Sequence, residues 1–190
     1  MNKILKICLF LLAFCWFSVG AEAKINMFPK PRYIPALSFY GDSGKPYHLT
    51  DFNSDLLMAV IWSRSCGPCL EDLKHLGKFT QATMGKGIEV ILISPEKEWR
   101  TPDEKRNFLR RLGANNMVSF ADRNGRFRDG MAISVTPTAI LVNKNGEEIG
   151  QITGSIEWDK QEVIDYMLKL KDETSQKLKE SKASDEQNQE

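Results

Sequence analysis

Cysteine and histidine are scarce: the chain of 190 residues has four of the first and two of the second. Two of the cysteines, Cys8 and Cys15, lie in an apolar N-terminal run. Beyond it only Cys66, Cys69, His48 and His75 remain as soft metal ligands, and no second close pair completes a common zinc pattern. That argues against a zinc-binding or purely interacting module. Cys66 and Cys69 close too small a loop to constrain an unfolded chain, so they are read as reactive rather than as a structural framework. A charge excess is lacking as well. The formal net charge is +1, which implies neither nucleic acid nor an anionic surface as a partner. There is no internal repeat, and no apolar run reaches the roughly 20 residues of a membrane span.

Residues 1–23 read instead as a secretory signal. Lys3 and Lys6 make the positive start, 7–19 the apolar core, and Ala21-Glu22-Ala23 a cleavage site of the A-x-A kind. An uncleaved anchor is the alternative. A lipid-anchored Cys15 is disfavoured, because Phe14 stands where a small residue is expected. Cleavage would remove Cys8, Cys15, two positive charges and one negative charge. The remaining chain would be neutral, with Cys66 and Cys69 alone in a periplasmic or otherwise extracytoplasmic setting.

Residues 24–35, with Pro29, Pro31 and Pro35, read as a linker. Segments 36–40 and 46–49, around Gly41-Asp42-Ser43-Gly44, predict a β-hairpin ahead of the main sheet. Residues 56–62 are nearly all apolar and predict a strand buried on both faces. A helix over 69–83, carrying Leu70, Leu73, Leu76 and Phe79, and a strand over 88–93 complete a right-handed βαβ unit. Thr101-Pro102-Asp103-Glu104 opens a second helix with a capping box, and Gly113 ends it. A short edge strand at 117–121 and a short helix at 127–132 follow. Segments 138–142 and 147–153 form a hairpin across Asn145-Gly146, and a last helix runs from 159 to 170. Residues 171–190 are expected as a charged, disordered tail, with a solvated extension of that helix as the alternative. The sum is an α/β domain over 36–170: a central mixed β-sheet flanked by helices, with an N-terminal β-hairpin extension.

The chemistry gathers at Trp62-Ser63-Arg64-Ser65-Cys66-Gly67-Pro68-Cys69, between a buried strand and a helix. Strand, then C-x-x-C, then helix is what thiol–disulfide exchange needs. Cys66, just before the first helical turn, can face unpaired backbone N–H groups and the positive end of the helix dipole, which favour its thiolate. Cys69, one turn in, is expected to be more buried and to resolve the mixed disulfide. Gly67 and Pro68 hold the sulfurs at bonding distance. Arg64 either adds to the thiolate's stabilisation or is a solvated loop charge. Asp72, one turn beyond Cys69, either relays the Cys69 proton or is a solvated helix acid. His75 reads as a surface residue and Trp62 as packing under the loop. Trp99 and Trp158 have no assigned role.

These segments resemble the thioredoxin superfamily, and within it the exported reductases of the TlpA/ResA type. The likeness covers residues 36–170. It rests on Ser38-Phe39 through Leu49-Thr50-Asp51-Phe52, on Trp62-x-x-x-Cys66-Gly67-Pro68-Cys69, on Val135-Thr136-Pro137-Thr138, and on Leu141-Val142-Asn143-Lys144-Asn145-Gly146. The resemblance implies a thioredoxin-like fold and a cis Thr136–Pro137 bond facing the disulfide, with the Thr136 backbone offered to an extended substrate segment. Three departures from the pattern stand out. Ser65 stands where thioredoxins have tryptophan, and Val60 where they have a buried acid. Asp72 and Lys74 stand where many TlpA/ResA-like members have glutamate and proline.

The expected function is therefore an exported protein-disulfide oxidoreductase, in the reducing direction. It needs no cofactor and acts as a monomer on protein thiol or disulfide substrates. Its electrons come from a membrane donor, since its compartment is oxidising. The resemblance suggests cytochrome c maturation as the pathway. A disulfide-donating oxidase is the nearest alternative. A peroxiredoxin-like peroxidase is disfavoured by Ala59 where that site needs proline, and by a C-x-x-C pair in place of a lone peroxidatic cysteine.

Overall fold

A computed structural model describes residues 23–187; the expected signal segment falls almost wholly outside them. Eight strands form one mixed sheet in the order β1-β8-β7-β4-β5-β6-β2-β3. They are β1 (Lys24–Arg32), β2 (Phe39–Tyr40), β3 (Pro46–Tyr47), β4 (Leu56–Ile61), β5 (Ile88–Pro95), β6 (Val118–Asp122), β7 (Thr138–Asn143) and β8 (Glu148–Thr153). Four helices accompany them: α1 (Gly67–Ala82), α2 (Pro102–Arg111), α3 (Arg126–Gly130) and α4 (Gln161–Gln187). β4, β5 and β6 run parallel, and the remaining pairings are antiparallel. Among the described residues no helix is long and apolar enough to cross a membrane.

Every residue of β4 is buried, and alternate side chains feed two cores, as strand geometry requires. Leu56, Met58 and Val60 enter the core under α1, α2 and α4, with Leu73, Leu76, Phe79, Leu109 and Met167. Leu57, Ala59 and Ile61 enter the core on the other face, with Phe39, Leu49, Phe120 and Phe127. The expected hairpin is present as β2–β3, and it lies beside β6 at the far edge of the sheet. The strand predicted as an edge at 117–121 is therefore an inner strand, covered by Tyr40 opposite Ala121.

Two other expectations need correction. Most of the segment read as a linker is strand β1, paired with β8 at Lys24 to Met27 and again at Arg32. Pro29 and Pro31 fall in the irregular stretch between, where no ladder N–H is missed. A strand at the sheet's edge tolerates them for that reason. Arg32 locks the far end through Glu148, at 3.0 Å, and lies over the Phe28 ring. The segment from 171, expected as a disordered tail with a solvated extension of the last helix as the alternative, takes the alternative and continues α4 to Gln187. Tyr166, Leu170 and Leu178 line a cavity of about 600 Å³ with Phe28 and Pro31 of β1. The extension thus has one apolar contact line, and pairs such as Gln176–Glu180 support its solvated side.

α1 meets the segment after α2 at Gly77, where an added Cβ would run into the Gly113 carbonyl oxygen. Gly113 is in the left-handed conformation that ends α2. Alanine within a helix is worth up to about 1 kcal/mol over glycine, while overpacking against fixed backbone costs about 1–3 kcal/mol. Gly77→Ala is therefore expected to destabilise the fold despite the gain in helix propensity, read as a lower urea midpoint.

Candidate active site

α1 starts where β4 ends because Cys66 caps it. Cys66 has extended backbone angles, its Sγ accepts the Cys69 N–H at 3.2 Å, and Pro68 occupies the first turn. Cys66 and Cys69 are joined in a disulfide. Cys66 is partly exposed, and Cys69 is fully buried in the apolar core with Leu73 and Leu76. Only Cys66 can therefore meet an incoming sulfur first. Thr136–Pro137 is cis, and the Thr136 carbonyl oxygen lies 3.5 Å from Cys66 Sγ. Val135 beside it is half exposed.

The loop before Cys66 is tied to β5 and to the segment after it. Trp62 donates its backbone N–H to Ile93. Glu98 accepts the Ser63 hydroxyl at 2.5 Å and the Arg64 N–H at 2.8 Å. Arg64 is neither a free loop charge nor among the groups bonded to Cys66. Its guanidinium contacts Glu104 at 2.9 Å and the Glu98 carbonyl, and lies over the rings of Trp99 and Phe108. Glu104 does not close the expected capping box with Thr101. Its carboxylate takes the Arg100 N–H and Arg64 instead, while Thr101 still caps α2. Trp62 packs under the loop against Trp99 and Phe108, and Trp99 donates to Ser94 at 2.9 Å.

Asp72 is not a solvated helix acid. It is buried, and its Oδ1 accepts three hydrogen bonds from the segment between β8 and α4: Ile156 N–H at 2.9 Å, Trp158 Nε1 at 2.8 Å and Ser155 Oγ at 3.3 Å. Oδ2 accepts none among the described residues. Burial pushes the Asp72 carboxyl up to about 6, against the smaller opposing pull of these donors. A carboxyl so placed can exchange a proton near neutral pH. Trp158, without a role in sequence, supplies one of the donors and packs edge-on against Phe79. His75 is not a free surface residue: its Nδ1 lies 2.5 Å from Asp159 Oδ1. No local sequence signal marks either contact, since both partners are more than 80 positions away.

The proton on Asp72 has a consequence for stability. Between 3.8 and about 6 the folded chain retains a proton that the unfolded chain has lost. Stability from this group is therefore complete below that window and falls as pH rises through it. At about 1.4 kcal/mol per pH unit the loss approaches about 3 kcal/mol. Asp72→Asn keeps the acceptor oxygen and removes the titration. Relative to the parent chain it is expected to gain up to about 3 kcal/mol on going from about pH 3.5 to about pH 7.5, measured by urea unfolding at both. A difference between the two chains that does not change with pH would exclude Asp72 as its source.

Comparison with known proteins agrees with this geometry. The Redoxin family model matches residues 30–168. The thiol-disulfide oxidoreductase ResA of Bacillus anthracis is 24% identical over 127 residues, covering 67% of this chain and 70% of that protein. ResA of Bacillus subtilis is 24% identical over 129 residues, with 68% and 69% covered. Among solved structures, the thioredoxin domain of a thiol-disulfide oxidoreductase of Bacteroides vulgatus superposes with a TM-score of 0.57 at 16% identity, covering 75% of this chain and 99% of that one. StoA of Bacillus subtilis does so at 0.53 and 16%, covering 71% and 98%. The chain belongs to the redoxin family and is a TlpA/ResA-like member of the thioredoxin superfamily.

Proposed function

We propose that the protein is an exported thiol–disulfide oxidoreductase that reduces protein disulfides through the Cys66–Cys69 couple. The observation that carries this reading is the asymmetry of the pair: Cys66 caps α1 and is reachable, while Cys69 is sealed in the core, one helical turn before a buried acid. In the dithiol form, the Cys66 thiolate attacks one sulfur of a substrate disulfide. The substrate's S–S bond breaks, a mixed disulfide forms, and the leaving thiolate takes a proton. Asp72, as carboxylate, accepts the Cys69 proton. The Cys69 thiolate then attacks Cys66 Sγ, the mixed disulfide breaks, and the second substrate thiolate leaves. Two electrons pass from the pair to the substrate, and the protein is left with its internal disulfide.

The N–H of Cys69 and the α1 dipole support the Cys66 thiolate. The Thr136 carbonyl favours the protonated thiol instead, so it is better satisfied by a substrate N–H once a peptide lies across the site. Val135 offers that peptide an apolar contact. Gly-Pro between the cysteines and the ResA-like pattern support the reducing direction. Reduction outside the cytoplasm calls for a membrane electron donor, and the resemblance supports apocytochrome c thiols as clients.

The potential of the pair tests the direction. Equilibration of the full chain with redox buffers is expected to give a value near about −270 mV, whereas one near about −120 mV would make the protein a disulfide donor. Cys66→Ser is expected to abolish reduction of a protein disulfide. Cys69→Ala is expected to accumulate substrate as a mixed disulfide on Cys66, identifiable by mass spectrometry.

A further inference from the structure

Asp72 lies on α1 and stays buried because other chain covers it. All three of its donors come from one segment, 155–158, that belongs to neither the sheet nor α1. The next residue, Asp159, reaches back to α1. Its Oδ1 lies 2.5 Å from His75 Nδ1 and its Oδ2 accepts Lys78 Nζ at 2.8 Å. Lys78 and then His75 hold the Asp159 carboxyl down to about 2. Asp159 is therefore ionised near neutral pH, and His75 Nδ1 is the donor.

Asp72 and His75 are one helical turn apart. The same stretch of α1 thus carries the acid and the anchor of the segment covering it. We propose that Asp159 is a positioning residue: by bridging His75 and Lys78 it pins segment 155–158 to α1 and keeps Asp72 buried, so that Asp72 exchanges the Cys69 proton near neutral pH. The proposal rests on the functional reading of Asp72 given above.

Other charges near the bridge do not replace it. Glu71 lies 3.8 Å from His75 Nε2 and is itself paired with Lys74. Lys160 is paired with Glu157. Asp72 faces three neutral donors from segment 155–158, and His75 is the charge-bearing neighbour that acts on it from α1. Trp158 is buried against Phe79 and packs the end of the segment next to Asp159. The bridge fixes how that segment is set against α1.

Position and charge predict opposite signs in one variant. His75→Ala with Lys78→Ala removes both anchors of Asp159, and with them the His75 charge that lowers the proton affinity of Asp72. A purely electrostatic role therefore moves the Asp72 inflection up. Release of the segment exposes Asp72, and because burial is the dominant cause of its high value, the inflection moves down towards 3.8. The measurement is the pH profile of the exchange rate of the full chain with a disulfide reagent, from about pH 4 to 9.

We expect the acid-side inflection near 6 to fall by about one pH unit, tenfold in proton affinity, in both Asp159→Ala and the double variant. Adding Asp159→Ala to Asp72→Asn should change the profile no further. An upward shift in the double variant, or an unmoved inflection in a folded Asp159→Ala chain, overturns the proposal and leaves the functional reading standing. An inflection that survives Asp72→Asn overturns both the proposal and the part assigned to Asp72. Exchange that survives Cys66→Ser overturns the functional reading itself.

Discussion

Strand β4 is solvated nowhere along its length, and the site follows from that constraint. The chain can reach water only where β4 ends, and there it turns through Trp62 to Cys66. The neighbours on both sides are fixed by register. Ile61 pairs with Thr138 of antiparallel β7, so Thr136 and Pro137, just before β7, arrive beside the residues just after β4. Ile61 also pairs with Ile93 of parallel β5, and the chain continuing from β5 delivers Glu98 to Ser63 and Arg64. Two motifs about 70 positions apart meet at one sulfur because one buried strand has one way out.

The pair and the acid beneath it answer to opposing electrostatics. A helix N-terminus favours an anion at Cys66 by about 0.3–1 kcal/mol, up to about 2 in partly buried geometry. A few residues further on, burial opposes the anion at Asp72, and its three donors offset only part of that cost. The outcome is a reachable sulfur biased towards thiolate and a sealed sulfur beside a carboxyl that readily carries a proton. Asp72 and Cys69 lie one helical turn apart on α1, so a carboxylate and a thiolate charged there together would each raise the other's cost. Under the proposed mechanism, a proton passed from Cys69 to Asp72 leaves one charge there at a time.

The sequence was legible wherever the signal was local. The apolar run of β4, the proline and cysteine spacing at the start of α1, the cap at Thr101 and the Asn-Gly turn before β8 each depend on a few adjacent residues. Each is found within a residue or two of its expected place. What was not legible depends on a distant partner. Lys24 to Arg32 becomes a strand because β8 presents an open edge, and its prolines sit where the ladder is interrupted. The charged continuation of α4 has β1 to lie against, a neighbour that the linker reading had removed. Asp72 is the clearest case. Its residue type and spacing left a relay and a solvated acid equally open, and it is Ile156 and Trp158, more than 80 positions on, that exclude the solvated acid.

The departures from the thioredoxin pattern then form one arrangement. Val60 is buried in the same core as Cys69, so an acid there would be a second buried carboxyl in addition to Asp72. With Val60 apolar, the acid rests on α1, and its cover comes from the segment after β8 rather than from the sheet. A sheet residue is held by its ladder on both sides. A helix residue covered by an irregular segment is held only as firmly as that segment is tied down, which is the part Asp159 can play through His75 and Lys78. Ser65 has a counterpart on the rim. Its hydroxyl bonds Ser63, which also reaches Glu98, so this part of the loop before Cys66 is polar, while Val135, next to Thr136, is apolar and half exposed.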